Sequence, residues 1–392
     1  ALVRAYRGLI APQRVITPAM RRWVATRRRQ VAKQSTGDSR LLLLRAIVEG
    51  VMREFRYVGL EFGIHGYKPY RTDEVWVRRF GDCKDQATLL ITLLSLAGIE
   101  AYPVLVRSRP MGRVPHPLPS LSLFDHAIVW LPEWDRFVDT TERYIGLWDL
   151  PQGDIGAQVL ILKPKGRAGL VRTPVPSPTR NGIHGRYEVI LTTKGRALLS
   201  GVMRYRGTHA PRYRRRLSDR TTQRSTLTRM LAGRYPGVRL NRYTVSDPQA
   251  LDRPLAVTFS AVAPALLTRR GAALQLNLPA GGDGLLAAYA RTTTRRHPLV
   301  LGAPVDHLFS FRYLLPADWR VKTLPKSRQE KRSFGSFSVT WRGERGGAVV
   351  ETRLRLVKDQ LSAAEYPAFR AFMRQLDEGV RIPLVLIRRG SP

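Results

Sequence analysis

Residues 80–97 read FGDCKDQATLLITLLSLA, and this stretch decides which fold can form around it. Its apolar residues recur at helical spacing, which predicts a buried helix. Asp82 suits the N-cap, because its carboxylate can accept hydrogen bonds from the free backbone N–H groups of the first turn. We therefore expect a helix that begins at Cys83 and ends at about Ala97, just before Gly98.

The first residue of this predicted helix is the only cysteine of the chain. The free N–H groups and the dipole of a helix N-terminus stabilise a thiolate. The same N–H groups, including that of Cys83, can stabilise the oxyanion that forms on an attacked carbonyl group. A nucleophilic cysteine also needs a base, usually histidine, and a group that orients the base. A single cysteine excludes an internal disulfide.

A predicted β-hairpin supplies both groups. Residues 124–131 and 136–140 alternate in polarity and are separated by a four-residue turn. If residues 132–135 form the turn, Leu131 lies opposite Arg136, and His126 and Asp139 are diagonal neighbours on one face. They are then about 7–8 Å apart between backbones, which their side chains can span. The sequence thus predicts a triad of Cys83 as nucleophile, His126 as base and acid, and Asp139 as the orienting group.

Each of these residues has an ordinary structural explanation when it is taken alone. A lone cysteine is often a small buried hydrophobe. His126 could be a hydrogen-bonded core residue, and Asp139 could cap a turn. Together with a capped helix start and matching strand parity, they favour catalysis. The order Cys83, His126, Asp139 is also the order of roles in papain-like enzymes.

Five segments resemble bacterial transglutaminase-like domains. The nucleophile motif of that superfamily is similar to RFGDCKDQA at residues 79–87. Its histidine and aspartate motifs are similar to FDHA at residues 124–127 and FVDTT at residues 137–141. The segment that opens the domain is similar to RYVGLEFG at residues 56–63, followed by GYKP at residues 66–69. One departure is Thr140, where a proline commonly follows the aspartate.

This resemblance implies an α+β fold with a papain-like transglutaminase core, in which the helix that bears the cysteine packs on an antiparallel sheet. It implies amide cross-linking, peptide hydrolysis or deamidation through a thioester, with a protein or peptide amide as substrate and no cofactor. Residues 183–392 resemble the β-rich region that follows such domains in some bacterial proteins. The resemblance also implies the bacterial periplasm or cell envelope. No export signal is visible in this sequence, so we expect a fragment of a longer protein.

The sequence predicts two parts joined by a linker. Residues 1–162 form the thiol enzyme domain, of which residues 1–38 are a helical lead-in. Residues 163–182 are rich in proline and glycine and read as a linker. Residues 183–392 contain alternating segments that predict a mostly antiparallel β region. Two helices are expected to interrupt that region, near residues 219–231 and 363–377.

The charge is unevenly distributed. The chain has 392 residues and a formal net charge of +36. Residues 1–162 carry 23 basic and 16 acidic residues, whereas residues 163–392 carry 43 and 14. We therefore expect any attraction to an anionic polymer or membrane surface to lie in the second part. The densest basic cluster, residues 212–216, lacks any nucleic-acid-binding signature beside it. It reads as a solvated or anion-attracting face, without specific nucleic acid recognition.

Other function classes have little support. No apolar run approaches the roughly 18 residues that cross a bilayer. Walker and dinucleotide-binding motifs are absent. The histidines lack metal-ligand spacing, so we expect no metal site. The favoured function is thiol-dependent acyl transfer on an amide, with hydrolysis favoured over cross-linking because nothing marks an amine-binding channel. The alternatives are a catalytically silent papain-like binding module and a basic domain that binds an anionic surface.

Overall fold

The computed structural model describes residues 2–34, 37–113, 120–164, 169–264, 266–276 and 284–389. The chain has a mixed α and β structure with large antiparallel sheets. It divides into two compact units, Ala1–Val175 and Pro176–Pro392. The division falls inside the expected linker, residues 163–182.

The first unit begins with helices. Within the described residues they are α1 (Leu2–Ile10), α2 (Pro18–Ala32), α3 (Ser39–Glu54), α4 (Thr72–Arg78) and α5 (Cys83–Leu96).

The strands of the first unit form a small pair and a larger sheet. They are β1 (Arg56–Tyr57), β2 (Phe80–Gly81), β3 (Tyr102–Arg107), β4 (His126–Leu131), β5 (Arg136–Val138), β6 (Gln158–Ile161) and β7 (Leu170–Arg172). Strands β1 and β2 pair in parallel. The larger sheet is antiparallel, in the order β5-β4-β3-β6-β7.

Helix α5 is the centre of this unit. Every residue from Cys83 to Leu94 is buried, and the helix contacts α2, α3 and α4 as well as β3 and β4. A helix that is buried on all sides is packed within a core rather than on its surface. Fully buried leucines such as Leu89 and Leu93 each contribute about 2 kcal/mol through the removal of apolar surface from water. The helix therefore fixes Cys83 against the sheet.

Two expectations for the first unit need correction. The sequence of residues 56–62 reads as a possible strand, but the strand is limited to Arg56–Tyr57, because its partner β2 ends at Gly81, just before α5 begins at Cys83. The expected linker is not free of regular structure. Its Leu170–Arg172 segment pairs with β6 as the edge strand of the sheet, while residues 165–168 lie outside the described part.

The second unit is dominated by strands. Those described are β8 (Gly182–Leu191), β9 (Ala197–Arg206), β10 (Arg239–Val245), β11 (Leu255–Ala263), β12 (Leu267–Arg270), β13 (Ala273–Leu276), β14 (Leu299–Val300), β15 (Val305–Leu314), β16 (Trp319–Thr323), β17 (Arg328–Arg332), β18 (Gly335–Glu344), β19 (Gly347–Leu356), β20 (Gln360–Leu361) and β21 (Leu384–Arg388).

Most of these strands belong to one eight-stranded sheet, in the order β10-β11-β9-β8-β15-β19-β18-β17. Its strands pair antiparallel, except that β8 and β15 are parallel. A four-stranded sheet has the order β12-β13-β21-β16, and β14 pairs with β20. Alternating burial along β8 and β19 places one face of the large sheet on a hydrophobic core.

The helices described in the second unit are α6 (Ala210–Leu217), α7 (Gln223–Ala232), α8 (Leu285–Tyr289) and α9 (Tyr366–Val380). Helix α6 carries the basic cluster, residues 212–216. The expectation that this cluster forms a wholly solvated face needs correction. Arg212 and Arg216 are exposed, but Arg214 is buried and donates to the carbonyl oxygens of Pro248, at 2.9 Å, and Arg253. Arg214 therefore stabilises the fold rather than attracting an anion. None of the described helices has the length and apolar character of a membrane-spanning segment.

Candidate active site

The start of α5 is fixed by a reciprocal capping box. The Asp82 carboxylate accepts from the backbone N–H of Asp85 at 3.2 Å, and the Asp85 carboxylate accepts from the backbone N–H of Asp82 at 3.2 Å. Gly81 makes this possible, since a Cβ there would lie 2.6 Å from the Asp85 Cβ. Cys83 is consequently held as the first residue of the helix, where its N–H makes no bond within the helix.

Asp85 anchors this helix start to its surroundings. Its carboxylate also accepts from the backbone N–H of Tyr70 at 2.8 Å and from the Arg78 guanidinium at 2.9 Å. Burial raises the pKa of Asp85, and the nearby charge of Asp82 adds to that effect. Lys84 forms a buried ion pair with Asp82. The charged residues around Cys83 are therefore paired with one another.

The predicted hairpin brings His126 and Asp139 together. His126 is the first residue of β4, and Asp139 follows the last residue of β5. Leu131 pairs with Arg136, as the sequence register required. The His126 Nε2 donates to Asp139 Oδ2 at 3.0 Å. Because a carboxylate can only accept, this bond assigns a hydrogen to Nε2. Nδ1 lies on the other side of the ring and takes no part in the bond to Asp139.

Asp139 is buried and strongly hydrogen-bonded. Besides His126, its carboxylate accepts from the backbone N–H of Thr141 at 2.7 Å and from the Thr141 hydroxyl at 3.0 Å. Burial alone would raise the pKa of Asp139, but His126 and these donors lower it below its ordinary value. Asp139 is thus held as a carboxylate, which suits a group that orients an imidazole.

His126 favours its charged form in this environment. Burial opposes the charge, but the carboxylate of Asp139, with a contribution from Cys83, raises the pKa of His126 well above its usual value. The Cys83 thiol lies close enough to the ring to contribute to this shift, and 7% of Cys83 is exposed. The three predicted site residues therefore lie together, in an arrangement that can hold a thiolate beside an imidazolium.

Two neighbouring side chains border the site in different ways. Gln86 is fully buried, and its amide can donate to the Thr140 carbonyl oxygen at 2.9 Å and accept from the Tyr57 backbone N–H at 3.2 Å. It ties α5 to the residue after Asp139, which suits a structural role. Tyr57 is 44% exposed, and burial together with the charge of Cys83 raises its pKa. Tyr57 is therefore a partly exposed neighbour of Cys83 and His126.

Sequence reasoning missed a fourth titratable residue. Asp154, in the loop between β5 and β6, is buried with Oδ2 3.7 Å from His126 Nε2. Burial, followed by the charge of Asp139, raises the pKa of Asp154 to about 8. Nothing in its local sequence indicates this position, because the loop has no periodic pattern and the contact spans 28 residues of chain.

His126, Asp139 and Asp154 each offer one atom, and these atoms lie within 4.8 Å of one another. Such a group could in principle hold a divalent cation. The hydrogen bond to Asp139 argues against it, because it requires a hydrogen on His126 Nε2, whereas a metal ligand nitrogen must carry a free lone pair. The arrangement fits a hydrogen-bonded histidine better than a metal centre.

Comparisons with known proteins find a family model that matches part of the chain and a solved structure with a similar fold. A family model described as a domain of unknown function, DUF3858, matches residues 278–386. A crystal structure from Parabacteroides distasonis ATCC 8503, described as a "putative protease", is similar with a TM-score of 0.52 and 13% sequence identity. The similarity covers 94% of this chain and 59% of that one, so the chain spans about three fifths of the length of that protein. Among curated proteins, none matches the chain. At this identity the likeness shows a shared fold alone.

Proposed function

We propose that the chain is a cysteine-dependent acyl-transfer enzyme with a papain-like, transglutaminase-like core that acts on protein or peptide amides. The observation that carries the proposal is the 3.0 Å hydrogen bond between His126 and Asp139 beside the only thiol of the chain. The thiol lies at the N-terminus of a buried helix, where an anion is stabilised. The description of the Parabacteroides protein is compatible with this chemistry.

The first half-reaction would form a thioester. The Cys83 thiolate attacks the amide carbonyl carbon, and the carbonyl electron pair moves to oxygen as an oxyanion. The N–H of Cys83 at the helix start is placed to donate to that oxyanion. When the tetrahedral intermediate collapses, the C–N bond breaks and protonated His126 gives its proton to the leaving amine. Asp139 keeps the ring oriented and stabilises its charged form.

The second half-reaction would release the acyl group. Neutral His126 takes a proton from water or from an acceptor amine, which then attacks the thioester carbon. The C–S bond breaks, and the thiolate returns beside the imidazolium. With water the products are a carboxylic acid and the amine released earlier, as in a protease or amidase. With an amine the product is a new amide, as in a transglutaminase. We favour hydrolysis, because no described feature marks a channel for an amine.

Incubation of the purified protein with a mixed-peptide library tests this function. Mass spectrometry should find new peptide termini, deamidated glutamines or isopeptide links, and the Cys83→Ala and His126→Ala variants should produce none. The Asp125→Asn variant is the matched control, because Asp125 precedes His126 and instead accepts from Ser108. If wild type gives no more products than Cys83→Ala, the fold serves as a catalytically silent binding module.

A second candidate function concerns the basic region. Residues 163–392 carry 43 basic and 14 acidic residues, and Arg212 and Arg216 are exposed on α6. We propose that this region holds the protein at an anionic surface, such as that of a bacterial envelope. Binding of the full chain to anionic vesicles should weaken steeply with salt, because the Debye length falls to about 8 Å at physiological ionic strength.

Charge reversal separates this candidate from the general basicity of the chain. The Arg212→Glu/Arg216→Glu variant should bind anionic vesicles more weakly than the matched Arg21→Glu/Arg22→Glu variant, whose arginines are exposed on α2. Equal weakening would mean that net charge alone decides binding. Absence of binding by the wild type at low salt would remove this candidate.

A further inference from the structure

The loop that carries Asp154 is firmly fixed. The backbone N–H of Asp154 donates to the Pro151 carbonyl oxygen at 2.9 Å, and the Asp154 carbonyl oxygen accepts from the Thr173 hydroxyl. Thr173 in turn accepts from the backbone N–H of Ala157 at 2.9 Å. These hydrogen bonds fix the Asp154 backbone, and its side chain extends from that fixed point into the buried interior.

The Asp154 carboxyl group is buried without a compensating donor. Asp154 is 3% exposed, and its Oδ2 has no hydrogen-bond partner among the described residues. The nearest charged groups are the His126 imidazole, 3.7 Å from Oδ2, and the Asp139 carboxylate. An ionised carboxylate in this position would be costly, because buried charges need hydrogen bonds or partners.

Asp139 and Asp154 cannot both be ionised easily around one imidazolium. Asp139 accepts three hydrogen bonds, from His126 and from both donors of Thr141, so it holds the negative charge. Asp154 accepts none at Oδ2, which favours a proton there. That proton also supplies the missing bond, since a protonated Asp154 can donate to Asp139 whereas two carboxylates cannot bond each other.

Other charged groups near Asp154 do not alter this assignment. Asp125 is a further negative charge that favours the proton on Asp154. The guanidinium groups of Arg109 and Arg172 donate to the carbonyl oxygen of Gly156, at 3.1 and 2.9 Å, and so bind the loop backbone. Asp154 Oδ2 accepts no hydrogen bond among the described residues.

We propose that Asp154 is a positioning residue of the candidate active site, whose protonated carboxyl group donates a hydrogen bond to Asp139 and so holds the His126–Asp139 pair with a single negative charge. This inference rests on the proposed function. The protonation state of Asp154 then affects how readily protonated His126 gives its proton to the leaving amine. A second negative charge would over-stabilise the imidazolium and make it a weaker acid toward the leaving amine. Acyl transfer should therefore decline as Asp154 loses its proton.

Two substitutions separate hydrogen bonding from packing. Asp154→Asn keeps a donor of nearly the same shape and removes the titratable proton. Asp154→Leu keeps the volume and removes the donor. The readout is the rate at which iodoacetamide alkylates Cys83, which reports the thiolate–imidazolium pair without any natural substrate. We expect Asp154→Asn to stay within about 3-fold of wild type at pH 6, and Asp154→Leu to react about 10-fold more slowly, the size of one hydrogen bond to a charged group.

Infrared spectra give an independent readout that does not depend on activity. Wild type at neutral pH should show the carbonyl stretch of a protonated carboxylic acid, and the band should disappear as pH rises through about 8. The band should be missing in Asp154→Asn and present in the Asp125→Asn control. This measurement keeps the inference testable if Asp154→Leu does not fold.

The outcomes distinguish the inference from the proposed function. If wild-type Cys83 reacts no faster than free cysteine, the proposed function fails whatever Asp154 does. If wild type reacts fast while Asp154→Asn is as slow as Asp154→Leu, or Asp154→Leu is as fast as wild type, the role of Asp154 is overturned and the function stands. A wild-type spectrum without the protonated-carboxyl band also overturns it.

Discussion

The Asp139→Asn substitution tests how the site stabilises its charges. Asp139 lies 3.0 Å from the His126 nitrogen, and both side chains are largely shielded from solvent. Two unit charges about 4 Å apart attract by about 4 kcal/mol at an effective dielectric constant of about 20. Because the asparagine carbonyl can still accept the hydrogen bond, we expect about half of that stabilisation of the imidazolium to be lost.

A loss of about 2 kcal/mol corresponds to about a 30-fold slower alkylation of Cys83 at pH 6. The assay is unambiguous, because Cys83 is the only thiol in the chain. Asp125→Asn removes one negative charge at the neighbouring position and should leave the rate within about 2-fold of wild type, since Asp125 bonds Ser108 rather than His126. The reasoning is refuted if Asp139→Asn retains the native circular dichroism spectrum and reacts at the wild-type rate.

Three further predictions concern the fold around the site. Gly81→Ala should destabilise the fold by about 1–3 kcal/mol and lower the melting temperature by several degrees, because the added Cβ would lie 2.6 Å from Asp85. Gly59→Ala is the control and should change the melting temperature little, because no atom lies within 4 Å of the added Cβ. Limited trypsin digestion should cut first within residues 163–182 and leave two stable pieces, and a first cut elsewhere would contradict the boundary. Because burial raises the pKa of Asp154 from 3.8 to about 8, the stability that its proton provides at pH 4 should be lost as pH rises toward 8. The melting temperature of Asp154→Asn should lack this part of the pH dependence. Parallel plots of melting temperature against pH for wild type and Asp154→Asn would contradict the prediction.

The parts of the site that the sequence predicts are those that depend on local rules. The helix start needs an N-cap and an apolar period, both of which lie within residues 80–97. The contact between His126 and Asp139 needs only the parity of two strands and one turn. The structure has Leu131 opposite Arg136, which is the register that the parity argument used.

The position of Asp154 beside His126 depends on contacts between segments that are distant in the sequence. Its loop reaches His126 because Thr173, on the chain after the edge strand β7, bonds the Asp154 carbonyl oxygen. This placement requires the order of strands in the sheet, where β6 and β7 lie on the side of β3 away from β4. A single sequence does not specify that order, and the segment that contains β7 reads locally as a linker.

The second unit shows two other limits of sequence patterns. Strand β17 reads RQEKR, and its residues are mostly exposed, so it has no apolar alternation to reveal it. It forms because β18 offers a free edge with which it pairs over its whole length. Arg214 lies in a run of arginines but is buried by contacts with the distant carbonyl oxygens of Pro248 and Arg253. Charge in sequence does not distinguish a buried guanidinium from its exposed neighbours.

The rate of iodoacetamide labelling of Cys83 at pH 6 tests the central claim most directly. In the native chain His126 and the N-terminus of α5 should activate Cys83, so we expect labelling at least about 10-fold faster than that of the urea-unfolded chain, which provides the free-cysteine rate. The His126→Ala variant should lose this advantage while keeping its fold. A native rate equal to or below the unfolded rate, in a chain that is fully folded, would contradict the assignment of Cys83 as a nucleophile.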